Sequence, residues 1–225
     1  MTDESGQIAG YPTRRQALAF GTLQVQLLTV RRLEDYVDAE ELLRNPDAPE
    51  PPYWAHLWTG SRALARLVAT AVECRDRHVI EIGCGVGLVG VVAAQRGATV
   101  TVIDTAHAAL CFARANATLN GCTLAAVQTD LRRSGVRGRF DYCLAADVTY
   151  DPALQVALAD FLAIHLAAGG HAWCAESVRT MDQGFRQACH GHGLHTSERT
   201  MREPDEGRDT LVRLTEVRHL RPLDS

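Results

Sequence analysis

The chain has 225 residues, which fits one large domain with a short extension better than two independent units. Apolar residues make up 46% and charged residues 22%, the balance of a globular protein able to bury a full core. A formal charge of −4 argues against a protein held to nucleic acid by bulk electrostatics, so the cluster Arg132, Arg133, Arg137 and Arg139 reads as a solvated loop.

Met1–Gly10 is polar and lacks an apolar signal core, and no apolar run approaches the ~20 residues that cross a bilayer. A poorly ordered start is expected to pass into a short helix around Arg14–Phe20. Thr22–Arg31 alternates as a strand, and Leu33–Leu43 is acidic and mixed. Asn45–Pro52 holds four of the eight prolines and can continue neither a helix nor a central strand. It is expected to divide an N-terminal extension of strand and helix, residues 1–50 and a candidate lid, from a main domain over 51–225. After it, Leu57, Leu64, Leu67, Val68 and Ala71 recur at helical spacing.

From Arg77 onward strands and helices alternate. Strands are expected at His78–Ile82, Thr99–Ile103, Leu124–Thr129, Phe140–Ala146 and His171–Ser177. Helices are expected from the glycine-rich GCGVGLVG through Gln95, over His107–Leu119, Ala153–Leu166 and Met181–His190. Gly97, Asn120-Gly121 and Gly169-Gly170 act as helix stops. The last pair, Leu194–Met201 and Thr210–Val217, is joined too tightly for a parallel crossover and must run antiparallel. The fold class expected is α/β: a doubly wound, mostly parallel sheet closed by an antiparallel hairpin. Seven scattered cysteines, at 74, 84, 111, 122, 143, 174 and 189, form no CxxC pair, which fits reduced thiols in a cytoplasm.

The run Val79-Ile80-Glu81-Ile82-Gly83-Cys84-Gly85-Val86-Gly87 is the strongest local signal. Glycines at alternate positions after a strand let the backbone turn tightly and approach a ligand, and the following helix offers free N–H groups. Leu88 stands where a dinucleotide fingerprint would have its third glycine. Glu81 could face a cationic amino group or ordered water. Asp104, at the end of the second strand, can accept from both ribose hydroxyls, a device nicotinamide enzymes share. Asp130 can accept from an adenine amino group while the N–H of Leu131 donates to the ring; a turn or cap is the plainer reading of Asp130.

In combination, EIGCGVG, the VID ending in Asp104, the TD at Asp130 and the AADVTYD block resemble a class I, seven-strand S-adenosylmethionine-dependent methyltransferase. YWAHLWTGSRALA before the loop and DVTY after the fourth strand are similar to the family 16 group, which contains protein lysine methyltransferases. Bacterial relatives of the electron-transfer-flavoprotein β-subunit lysine methyltransferase are the nearest likeness within it. The resemblance runs from about Pro52 to Arg179 and suits the closing hairpin. It implies S-adenosylmethionine as cofactor, with S-adenosylhomocysteine as product. It puts Trp58 and Gly60 in the cofactor pocket, beside Gly83, Gly85, Gly87 and the strand-end Ala146, and Asp147 and Tyr150 on the acceptor side. A lysine on a protein, or alternatively a small amine or other metabolite, is the acceptor so implied.

Asp147 past the fourth strand could orient an amine and take its proton, with Tyr150 as an aromatic wall. A strand-end cap and a surface aromatic are their structural alternatives. Trp54 and Trp58 lie four apart, on one face if that segment is helical. His56 reads as an ordinary surface histidine, with an acceptor-side base as its alternative, and Asn116 and Asn120 as helix termination and packing. Cys189-His190-Gly191-His192-Gly193-Leu194-His195 carries metal-ligand side chains, but its glycines suit a helix end and tight turn, so no metal is assigned. A non-catalytic nucleotide-binding regulator and a nicotinamide oxidoreductase fit less well. So does a nucleic-acid methyltransferase, since DVTY stands where a base-flipping NPPY motif would be.

Overall fold

The computed structural model describes residues 6–37, 44–45, 51–177, 184–205 and 207–220. Strands β4 (His78–Ile82), β5 (Thr99–Asp104), β6 (Ala125–Gln128), β7 (Phe140–Ala146), β8 (Leu166–Ser177), β9 (Leu194–Asp205) and β10 (Arg208–His219) form one sheet in the order β6-β5-β4-β7-β8-β10-β9. The first five positions are parallel; β10 inserts antiparallel between β8 and β9. The expected closing hairpin is therefore present, four residues longer at the end of its first strand than the alternation indicated.

Parallel strands buried on both faces read as continuous apolar runs, and successive residues feed opposite layers. Val79, Val102, Leu144 and Ala175 pack with helices α1 (Thr59–Ala71), α2 (Leu88–Gln95) and α3 (His107–Leu119). Their neighbours Ile80, Ile103, Cys143 and Cys174 pack with α4 (Pro152–His165) and α5 (Gly184–Gly191). Local chemistry sets the ends: Asp151 caps α4 by accepting the Ala153 N–H at 2.7 Å, and Pro152 takes the first helical position. α4 ends at His165, short of Gly169-Gly170, because Leu166 already pairs with Phe140 of β7.

The N-terminal segment corrects one expectation. Residues 14–20 are not helical; they belong to β2 (Tyr11–Phe20), which follows β1 (Gln7–Ile8) and pairs antiparallel with β3 (Leu23–Val30) from Thr13↔Val30 to Phe20↔Leu23. Arg, Gln, Ala and Leu favour a helix in isolation, but eight cross-strand pairs override that weak preference. The two-residue turn Gly21-Thr22, with Gly21 at φ +63°, has the handedness that joins twisted strands. This small sheet lies against α3, burying Val25 and Leu27 with Phe112 and Ala113. Among the described residues no helix is long and apolar enough to cross a membrane, and all seven cysteines are free.

Candidate functional site

β5, β4 and β7 lie side by side with Ile103, Ile82 and Ala145 level with one another. The loops that leave them open on one carboxyl edge, where open α/β sheets take ligands. After β4, Gly83, Gly85 and Gly87 adopt φ of +63°, +51° and +80°, values side chains resist. The loop is also pressed from two sides. A Cβ on Gly85 would stand 2.6 Å from the Trp54 carbonyl oxygen, and one on Gly87 2.6 Å from Ala113 Cβ of α3. Only glycine at these three positions can hold this turn.

Asp104 ends β5 and braces the loop: its Oδ2 accepts the Gly85 N–H and its Oδ1 the Ala106 N–H, both at 2.9 Å. Burial raises its pKa, and the N–H groups of Ala106, Gly85 and Thr105 pull it partly back. Glu81 of β4 turns inward. It is 4% exposed, and its Oε2 accepts the Gly90 N–H of α2 at 2.8 Å, beneath the loop rather than facing out of it. Burial pushes its carboxyl up to about 8. A Cβ on Gly90 would meet that same oxygen at 2.7 Å, so Gly90 is the residue that admits the carboxylate.

Asp130 precedes the short 3-10 turn Leu131–Arg133 and accepts the Arg132 N–H at 2.9 Å, the cap that was its plainer reading. The Arg132 guanidinium also forks onto it, with Nη2 at 2.7 Å, and that hydrogen bond lowers the carboxyl to about 2. Leu131 is half-buried beside it.

Across β4, Asp147 follows β7 with φ +53°, a left-handed conformation that Asp tolerates better than most residues. Two bonds hold it there: its N–H donates to the Ala175 carbonyl at 2.8 Å, and its Oδ1 accepts the Ser177 N–H at 3.2 Å. The next residues tie it to its surroundings. Val148 fills the space a Gly83 Cβ would need, and a Cβ on Gly60 would collide with Asp147 Oδ2. Gly60 thus lets α1 close onto the Asp147 loop, and Ala146 stands half-buried at the strand end. Tyr150 is 74% exposed. Thr149 is buried, donates to Glu176 Oε2 at 2.7 Å and accepts from Gln155 through its carbonyl, which anchors the loop between Asp147 and Tyr150.

The two tryptophans do not share a helical face. Trp54 sits in a 3-10 turn against Tyr11 and Phe112, whereas Trp58 is the residue before α1. Trp58 is 38% exposed, donates its indole N–H to the Tyr53 carbonyl at 3.1 Å and meets exposed His56 edge-on at 4.6 Å. The Cys189–His195 residues disperse: Cys189 is buried, His190 pairs with Thr196 and His192 with Asp160. Among the described residues no three metal-ligating side chains converge. The asparagines of α3 were undervalued by sequence reasoning; Asn116 reaches the glycine loop itself, donating to the Val86 carbonyl at 2.9 Å. The signal available was their spacing of four on one helix.

An adenosyl sulfonium fits this donor set: a turn with glycine at three alternate positions, a carboxylate braced beside it, and a second carboxylate across β4. Asp130 fits less directly, since Arg132 already holds its oxygens.

The methyltransferase small domain family matches residues 53–146. The electron transfer flavoprotein β-subunit lysine methyltransferase of Danio rerio is 33% identical over 113 residues, 49% of this chain and 44% of that protein. A protein N-lysine methyltransferase of Mus musculus is 38% identical over 105 residues, 43% of this chain and 48% of its own. The chain thus spans less than half the length of these relatives. Magnesium protoporphyrin IX methyltransferase from Synechocystis, with S-adenosylhomocysteine bound, superposes with a TM-score of 0.58 at 18% identity, covering 71% of this chain and 82% of that one.

Proposed function

We propose that this chain, which has the fold of class I methyltransferases and matches the methyltransferase small domain family over residues 53–146, moves the methyl group of S-adenosylmethionine onto a lysine side chain of a protein. The observation that carries the proposal is one carboxyl edge with a glycine turn braced by Asp104 on one side of β4 and a conformationally restrained Asp147 on the other.

Bound at that edge, S-adenosylmethionine supplies an electrophilic methyl on a sulfonium centre. In this reading Asp104 accepts from the ribose hydroxyls while the turn of Gly83, Gly85 and Gly87 leaves room for the ligand. Leu131 donates its N–H to the base, Asp130 borders it after Arg132 yields, and Trp58, Gly60 and Ala146 line the passage to the acceptor. Glu81 acts from beneath, holding the start of α2. Asp147 orients the incoming amine and accepts its proton, because an ammonium has no lone pair to attack with, and exposed Tyr150 supplies an aromatic wall for the cation. Collinear positioning of this kind supplies about 7–11 kcal/mol, so no stronger acid or base is required.

A lysine acceptor is supported by the names of the two relatives, and an open rim by the exposure of Tyr150 and Trp58. The partner proposed is accordingly a protein, with neither nucleic acid nor membrane involved, and seven free thiols suit a cytoplasmic setting. Residues 51–225 form the catalytic domain in this reading and 1–50 its extension. The test is transfer of labelled methyl from S-adenosylmethionine into a lysate, followed by separation by size. Base-stable label on a discrete protein supports the proposal; label confined to small molecules replaces it with a metabolite acceptor.

A further inference from the structure

β3 faces α3 along an edge that, among the described residues, no strand covers. An open strand edge is a row of unpaired N–H and C=O groups, and α3 closes this one with two asparagine amides. Asn120 Oδ1 accepts the Gln26 N–H at 2.9 Å while its Nδ2 donates to the Gln26 carbonyl at 2.7 Å. Asn116 repeats the pattern on Leu28, at 2.7 and 3.0 Å. The match is geometric: four residues of helix advance about 6 Å and two residues of strand about 6.7 Å, so two side chains one turn apart imitate a neighbouring strand.

The two asparagines differ in what else they hold. The second Nδ2 hydrogen of Asn120 returns to the Asn116 carbonyl within α3. That of Asn116 donates to the Val86 carbonyl, between Gly85 and Gly87. Asn116 is 0% exposed, and all three of its bonds run to backbone. A peptide unit is planar, so a fixed Val86 carbonyl also fixes the Gly87 N–H, which turns back to the Cys84 carbonyl at 2.8 Å. One side chain therefore clamps the N-terminal sheet and the glycine turn together.

Resting on the cofactor assignment above, we propose that Asn116 is a positioning residue which couples docking of the N-terminal sheet to the cofactor turn, making residues 23–30 part of the support for that site. The coupling is reciprocal: ligand that stabilises the turn tightens β3 onto α3, and loss of the amide weakens ligand.

The experiment is calorimetric titration of the full chain with S-adenosylhomocysteine, comparing wild type with Asn116→Ala and Asn120→Ala, together with amide hydrogen exchange of the wild type with and without this ligand. Asn116→Ala is expected to bind about tenfold more weakly, the effect of one lost buried hydrogen bond, and Asn120→Ala within about twofold of wild type. In the wild type the ligand is expected to slow exchange at Gln26 and Leu28. Equal affinities for wild type and Asn116→Ala, or equal weakening in both variants, overturn the coupling. Should Asn116→Ala fail to fold, unchanged exchange at β3 overturns it alone. No binding by the wild type removes the cofactor assignment itself, a separate result from any of these.

Discussion

Glu81 gives the sharpest physical test of the loop. Its ordinary pKa is 4.5, and burial under α2 raises it to about 8 in the folded chain. A carboxyl raised on folding binds more protons folded than unfolded, so its effect on stability is neutral below pH 4.5 and adverse above it. Stability is lost between pH 4.5 and about 8, and the gap corresponds to about 5 kcal/mol as an upper bound. Glu81→Gln keeps an oxygen for the Gly90 N–H and removes the ionisable group. In a chain of this size about 1 kcal/mol moves the melting temperature by roughly 2–4 °C. The variant should melt at least about 5 °C above wild type at pH 8 and within about 2 °C of it at pH 5. Thermal unfolding across that range by circular dichroism checks this, and parallel profiles for the two proteins would refute the buried-acid account. A Glu81 that instead met a cationic ligand group would show itself as lost S-adenosylhomocysteine affinity in Glu81→Gln.

Asp104→Ala removes two acceptors at once and should weaken S-adenosylhomocysteine by at least about 100-fold in calorimetry, with unchanged affinity removing Asp104 from the site. Asp147→Asn keeps an acceptor for Ser177 and a residue type at ease with positive φ, so ligand affinity should stay within about twofold while turnover falls about 100-fold or more. Full activity of that variant would mean another group takes the proton. Gly85→Ala meets both φ +51° and the Trp54 carbonyl at 2.6 Å, and should lose about 2 kcal/mol or more, read as a melting temperature lower by about 4 °C at least.

Much of the main sheet was legible because its signals are local: β-branched runs, helix stops at Gly97 and Asn120-Gly121, and an acidic residue at the end of β5. Residues 14–20 misled because their helical preference is worth less than pairing with β3, a partner that periodicity in one segment cannot announce. Trp54 and Trp58 were joined by spacing, yet a 3-10 turn breaks the helical register between them. Glu81 and Asp130 were legible as carboxylates near the loop but not in their engagements, which depend on Gly90 admitting one and Arg132 folding back on the other. The double duty of Asn116 joins residues 28, 86 and 116; the four-residue spacing of Asn116 and Asn120 was legible, but not the two distant segments that Asn116 reaches.

Methyl transfer to lysine can be read against a clean background, because all 23 Lys-plus-Arg positions of this chain are arginine. The most direct measurement is acid hydrolysis of the labelled lysate protein, with chromatography of the amino acids released. Label running with Nε-methylated lysine, and absent when Asp104→Ala replaces the wild type, is the predicted result. Label on any other amino acid, or an Asp104→Ala protein that transfers as well as wild type, would contradict the claim.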